Sequence, residues 1–390
     1  MFRWISRRST RRAFSSLAAA THESGHPMAK VWRRRDLISQ LLKCESKEMV
    51  LEIRDTLEGD EELRDMPLTA EEADRMIRRY AVFNLHENVT STLNRYRESA
   101  EEEESRVIHS TIHAFSRMKM FDKSVEIFEE HKNRVEGTVS PRVYLTMLRS
   151  AAMSKNSDLA RKLIEEINET FEFDLSDETP SRREKIKSHR DFEVMDEEET
   201  LTTTTTPVFY KNAIQRAYNL ALASCVQKWV WDDDSKADMD TLTSLLKSME
   251  EKQVPSDDRT RNAVLHAQVA SKNWSEVVSS VTSMIEERPP ARLNRKSLEG
   301  AIRAASEIGD WESALKFKHK MSTVALPVST DATVACMKVC NDREQYRETI
   351  LLFDELQRSV KPCSEAVRLV RVACIEERDT TQAKLWGLFE

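Results

Sequence analysis

The sequence predicts an all-α fold: an α-solenoid of about eight antiparallel helix pairs. Three observations carry this. An apolar pair recurs at Met76-Ile77, Thr111-Ile112, Met147-Leu148, Ala213-Ile214, Val264-Leu265, Ala301-Ile302, Cys336-Met337 and Leu369-Val370, with steps of 35, 36, 66, 51, 37, 35 and 33 residues between second members. Only 6 glycines occur in 390 residues, and no alternating apolar pattern marks a sheet. Charged residues reach 33% against 39% apolar, the balance of a single layer of helix pairs with much exposed surface. A fixed period of helical texture means units that bury their apolar faces only against their neighbours.

Each unit opens with the apolar pair on a first helix. Nine residues after its second member an aromatic ring begins the second helix, at Phe121, Trp274, Trp311 and Tyr346, with His86 in that place in the first unit. Three residues further on stands a small or β-branched residue: Val89, Ser124, Val277, Ala314, Thr349 and, within one position, Ala383. Ala314, Leu315, the stem of Lys318 and Met321 then form one apolar helix face. Prolines at Pro141, Pro255, Pro327 and Pro362 stand where a helix has just ended.

Stretches such as Ser110–Phe128 and Gly300–Leu315, with the proline-bearing link after the second helix, resemble the pentatricopeptide-repeat family over roughly residues 70–390. The competitor is the 34-residue tetratricopeptide repeat, whose Trp, Leu-Gly and Tyr signature is missing here. The resemblance implies a non-enzymatic binding surface for RNA.

The segment 1–25 differs from the rest. Arg3, Arg7, Arg8, Arg11 and Arg12 occur without an acid among Phe2, Trp4, Ile5, Phe14 and Leu17, the pattern of a mitochondrial targeting presequence. Arg12-Ala-Phe14 before Ser15 matches a matrix-protease cut with Arg three residues upstream, so the expected address is the mitochondrial matrix. Residues 26–69 read as a helical lead-in in which Lys30, Arg33, Arg34 and Arg35 surround Trp32, either an RNA contact or a solvated helix start. Two blocks of repeats follow, 70–174 and 208–390. Between them, 175–207 combines blocks of opposite charge with Thr202 to Thr206, a composition that buries no core and predicts a disordered loop. The second long step lies near Trp229, Trp231 and Asp232 to Asp234; these tryptophans either pack on a neighbouring helix or anchor a protein partner. The run Glu101 to Glu104 reads as a solvated face or an exposed loop.

Formal net charge is −7, and −12 once five presequence arginines are removed from the 60 basic residues set against 67 acids. No global basic footprint exists, so any nucleic-acid contact comes from a local stripe. No apolar run approaches membrane-spanning length. The six cysteines read as free thiols, with Cys336 and Cys340 as helix-packing residues. No catalytic constellation, cofactor-binding motif or metal-ligand spacing is found: phosphate-loop and dinucleotide glycine motifs are absent, and His109 and His113 do not form HExxH. The expected protein is not an enzyme.

In the resembled family a first-helix position three residues before the second anchor residue reads a base. That column is Asp74, His109, Leu145, Lys211, Asn262, Glu299, Val334 and Val367, and only Asn262 fits the family preference. Four residues later, one turn along the same face, stand Arg78, His113, Arg149, Gln215, His266, Arg303, Lys338 and Arg371. Five of these eight are cations and none is an acid. A cation ladder suits a phosphate backbone, with affinity drawn from charge rather than base identity. The expectation is therefore an organellar RNA-binding protein, for mRNA or ribosomal RNA, using Arg78, Arg149, Arg303, Lys338 and Arg371, with His109 and Asn262 as minor base contacts. The alternative is a protein scaffold, such as a structural subunit of the mitochondrial ribosome or a respiratory assembly.

Overall fold

The computed structural model describes residues 27–99, 104–135, 138–175, 208–226, 231, 236–288, 290–378, 384 and 386. The presequence, with Arg12, Phe14 and Ser15, and most of the charged insertion lie outside the described residues. The chain divides into two compact units, Met1–Ser150 and Ala151–Glu390.

In the first unit a lead-in of α1 (Pro27–Lys43), α2 (Lys47–Gly59) and the short α3 (Glu61–Arg64) precedes two helix pairs, α4 (Ala70–Val82) with α5 (His86–Ser99) and α6 (Glu104–Arg117) with α7 (Phe121–Arg134). The unit ends within α8 (Pro141–Ser154). Helix α4 packs on its partner α5, on the next first helix α6 and on α1.

The second unit runs through α9 (Ser157–Thr170), β1 (Glu172–Asp174), β2 (Val208–Tyr210), α10 (Lys211–Ser224), α11 (Met239–Glu251), α12 (Asp258–Ala270), α13 (Trp274–Glu286), α14 (Arg295–Ile308), α15 (Trp311–Thr323), α16 (Thr330–Asp342), α17 (Tyr346–Ser359) and α18 (Ser364–Glu376). The first helices α10, α12, α14, α16 and α18 each touch the next in line, and each is backed by its own second helix where that helix is described. This nearest-neighbour stacking of antiparallel pairs bears out the all-α repeat fold.

The sequence period falls where packing requires it. Every second anchor residue is buried: Ile77, Ile112, Leu148, Ile214, Leu265, Ile302, Met337 and Val370. The rings Phe121, Trp274, Trp311 and Tyr346 open α7, α13, α15 and α17. Val89, Ser124, Val277, Ala314 and Thr349, one turn in, are completely buried where the two helices of a pair meet. Only a small or branched side chain fits at such a close approach; Ala383 lies outside the described residues. Cys336 and Cys340 are buried on α16, and desolvation pushes both thiols up to about 12, which leaves them as inert packing groups.

The same period appears in the backbone as a left-handed residue just after seven of the first helices, α10 being the exception with Cys225 right-handed: Asn84, Lys119, Lys155, Lys272, Gly309, Glu344 and Arg378. Around Glu344 the Gln345 N–H bonds the Cys340 carbonyl at 2.7 Å and the Glu344 N–H bonds Asn341 at 3.0 Å, a Schellman closure. Among these seven only Gly309 meets the conformation without Cβ strain. Glu344 is exposed, with φ of 59°. Glu344→Gly is therefore expected to stabilise the second unit by about 0.5–1 kcal/mol, read as a raised urea midpoint; a lowered midpoint would contradict the strain argument.

Several expectations change. The all-α reading omitted two short strands: β1 and β2 pair in parallel, Glu172 opposite Val208 through Asp174 opposite Tyr210. They bring the ends of the long insertion together, and Phe171 meets Phe209 edge-on at 4.8 Å. A parallel pair needs a long crossover, and the insertion supplies it. The second insertion lies between α10 and α11, the two helices of one pair, and Val226 bridges Ala237 across its neck.

Glu104 is not on a solvated face. It begins α6, takes the Arg97 Nε bond at 3.0 Å and lies 3.7 Å from His131 and 4.0 Å from Arg134. His131 first, then Arg97, hold its carboxyl down to about 2. The lead-in cations are largely committed within the chain as well: Lys30 pairs with Glu62, Arg33 with Asp60, and buried Arg34 with buried Glu72. Trp32 and Arg35 remain exposed.

Candidate nucleic-acid interface

The second anchor residue turns inward; the position three residues before it lies on the edge of that buried side, and the position one after it stands a turn along the same flank and further toward solvent. The structure divides the predicted residues on that face into several environments.

In the base column, Asp74 is buried and receives Arg78 Nε at 2.7 Å, with Arg106 at 3.8 Å and a hydrogen bond from Ser110. Asn262 is also buried and its amide is committed. Its Nδ2 donates to the carbonyls of Asp258 and, at 3.0 Å, Arg292, while its Oδ1 accepts from the Asn294 N–H at 3.1 Å and from Ser297. Asn262 thus ties α12 to the turn that opens α14, and no amide atom is left for a base. Glu299 is completely buried and bonds Arg295 Nε at 2.9 Å. Leu145, Val334 and Val367 are half-buried and apolar.

His109 lies at the centre of a basic cluster. Burial, followed by repulsion from Arg142, Arg78, His113 and Arg149, drives its pKa down to about 3, and its Nδ1 meets no hydrogen-bond partner. His266 on α12 is held down to about 4, first by burial and further by Lys296 and Lys155; it bonds Ser297 at 3.1 Å. Both rings are neutral at pH 7.

The cation column is not uniform. Arg149, Lys338 and Arg371 are exposed, and Arg78 is 48% exposed while bonded to Asp74. Arg303 is only 9% exposed and lies over two indoles, Trp274 at 5.6 Å and Trp231 at 5.9 Å. Trp231, from the second insertion, donates its Nε1–H to Glu299 at 3.4 Å. The insertion therefore covers the α14 face with its own ring, which is the packing reading for Trp231; Trp229 lies outside the described residues.

One residue was missed at the sequence level. Arg142, exposed at the start of α8, joins the His109 cluster. Its signal was a further column three residues before the base column, which carries Arg106, Arg142, Arg259 and Lys296 in four of the eight units. Among the described residues no group of three or more His, Cys, Asp or Glu side chains is placed to hold a metal ion, and no helix is long and apolar enough to cross a membrane.

Fold and face together define a helical-repeat protein with a patchily cationic first-helix surface. Among solved structures, the pentatricopeptide repeat protein PPR10 from maize matches at 16% identity with a TM-score of 0.48, covering 96% of this chain and 48% of that one. PPR10 in complex with an 18-nt psaJ RNA element matches at 10% identity and 0.43, covering 98% and 52%. Yeast Rmd9p in complex with a 16-nt target RNA matches at 11% and 0.30, covering 91% and 75%. The chain spans about half the length of PPR10. No protein-family model matches the sequence, and no curated protein matches it.

Proposed function

We propose that this is an RNA-binding helical-repeat protein of the mitochondrial matrix, acting in RNA processing, stability or translation and gripping its ligand mainly through the phosphate backbone. The observation that carries the reading is the set of exposed cations on first helices, Arg78 and Arg149 in the first unit and Lys338 and Arg371 in the second, set against base-column residues of which Asp74, Asn262 and Glu299 are buried and bonded and Leu145, Val334 and Val367 are apolar. Such a surface neutralises phosphates and discriminates little between bases. The basic segment 1–25 supports the matrix address. Replacing Arg149, Lys338 and Arg371 together by Glu is expected to abolish ultraviolet crosslinking to RNA in isolated organelles. Undiminished crosslinking of the triple variant would sink the proposal.

A scaffold role is favoured by a different observation. Leu315, Leu351, Glu348 and Glu355 line a shallow groove between α15 and α17, and Leu351 is 62% exposed. Sedimentation separates the two. A particle that shrinks on RNase treatment supports the RNA binder, whereas RNase-resistant co-migration with a large assembly supports the scaffold.

A further inference from the structure

We propose that Trp231 is a staple that joins three consecutive helix pairs of the second unit into one cooperative block, tying α10 and α11 directly to α14 across the pair that lies between them. The staple acts whether or not the protein binds RNA.

A stacked repeat touches only the repeats beside it, and its stability is a sum of such neighbour terms. The helix contacts of the second unit follow that rule: α10 meets α12, α12 meets α14, and α14 meets α16. Trp231 breaks it. The residue belongs to the insertion between α10 and α11, yet its Nε1–H donates to Glu299 of α14 at 3.4 Å and its ring lies 5.9 Å from the Arg303 guanidinium. The intervening pair contributes Trp274, the first residue of α13, whose ring lies 5.6 Å from the same guanidinium. Three consecutive pairs therefore each place one group at Arg303.

The surroundings strengthen these contacts. Arg303 is 9% exposed and Glu299 is completely buried. A cation over a ring gains most where water is excluded. A buried carboxylate is costly unless its oxygens are bonded. Arg295 Nε serves Glu299 Oε1 at 2.9 Å, and Trp231 serves Oε2. Trp231 also packs against the apolar core that extends from Leu265 of α12 to Cys374 of α18. Withdrawing the indole costs Glu299 a donor, Arg303 one of two rings and the core part of its cover.

The insertion is anchored at its base as well. Val226 bridges Ala237, and the Asp238 N–H bonds the Cys225 carbonyl at 2.9 Å. The Asp238 carboxylate caps α11 through the Thr241 N–H at 3.0 Å and accepts the Ser157 hydroxyl of α9 at 2.7 Å. Displacing α14 relative to α10 thus works against both the base and the indole. Neighbour stacking alone lets a solenoid open one pair at a time. The added contact makes α10 to α15 open together.

The test is peptide-resolved hydrogen–deuterium exchange on the full chain, in wild type, Trp231→Ala and Trp231→Phe, with exposed Trp32→Ala as the comparison. Wild-type α10, α12 and α14 are expected to exchange through one common opening. Trp231→Ala is expected to speed exchange about tenfold in α10 and α11 as well as in α14, the effect of losing a desolvated ring contact and a bond to a carboxylate. Trp231→Phe, which keeps a ring without the N–H, should fall between, and Trp32→Ala should leave the second unit unchanged. A rise confined to α14, no rise at all, or wild-type opening of α10 separately from α14 overturns the staple and leaves Trp231 a local cover. Urea midpoints of Trp231→Ala, Arg303→Met and the double variant give a second measurement. With Arg303 already Met, the loss caused by Trp231→Ala is expected to shrink by about half or more; additive losses overturn the staple. If Trp231→Ala does not fold, Trp231→Phe with Glu299→Gln carries the same cycle, read by the same two outcomes.

Discussion

Arg34→Ala is expected to destabilise the first unit by about 3–5 kcal/mol, the usual cost of leaving one partner of a buried ion pair uncompensated. Arg34 and Glu72 side chains are 5% and 9% exposed. The guanidinium meets both carboxylate oxygens, Nε to Oε1 at 3.3 Å and Nη2 to Oε2 at 2.8 Å, and its Nη1 reaches the Met66 carbonyl at 3.2 Å. Arg95 of α5 donates to the same carbonyl and to that of Leu63, at 2.8 Å. Glu72 in turn completes the capping box with Thr69 that starts α4. One truncation therefore strands a carboxylate inside the protein and loosens the lead-in from the first repeat. Urea unfolding followed by circular dichroism should show an early transition of lower midpoint. Adding Glu72→Gln should return part of the loss, because the stranded charge is then gone. A single variant with the wild-type midpoint would show that the lead-in contributes nothing to the unit.

Acidification is expected to weaken both units, beginning well above the range where carboxylates titrate. His109 and His266 are held neutral in the fold, down to about 3 and about 4, whereas the unfolded chain takes up their protons near pH 6.5. Below that value the unfolded state binds more protons, so stability is present above about pH 6.5 and falls with pH until the folded pKa values are reached. Each pH unit inside that window costs about 1.4 kcal/mol per histidine. Glu104, held at about 2, adds a further loss only below the ordinary carboxylate range. His109→Gln should flatten the pH dependence of the first unit between about pH 6.5 and 4 while leaving the second unit's slope in place. An unchanged slope would mean that the ring takes up its proton without cost.

The two effects have different origins in the chain. The packing framework was legible as text because it is periodic. Ile77, Ile112, Leu148 and their successors all point into the stack, and small residues such as Ala314 and Thr349 stand where two helices close on each other. Periodicity reports which way a side chain faces. It does not report what the side chain meets. Arg34 looked like part of a basic-aromatic cluster until the fold placed Glu72 against it, 38 residues away. Asn262 had the composition of a base reader, yet its amide closes the turn into α14. Arg303 belonged to the cation ladder by spacing, and packing sets it over two indoles. Arg142 stood outside the ladder and joins its strongest cluster.

The sequence by itself determined the repeat: its period, the two helices in each unit, the buried anchors and the two interruptions. These follow from local propensity and a one-dimensional alternation of faces, which a stacked fold preserves. Only the tertiary structure decided which cations remain open to a ligand. That depends largely on contacts between residues far apart in the chain, such as Arg34 with Glu72, Trp231 with Glu299 and Arg303 with Trp231, which no spacing rule along one helix encodes. The face reads as a uniform ladder in the sequence. Folding makes it a concentrated basic cluster around His109 in the first unit and a face covered by Trp231 on α14 in the second, because burying a charge is favourable only where a partner meets it.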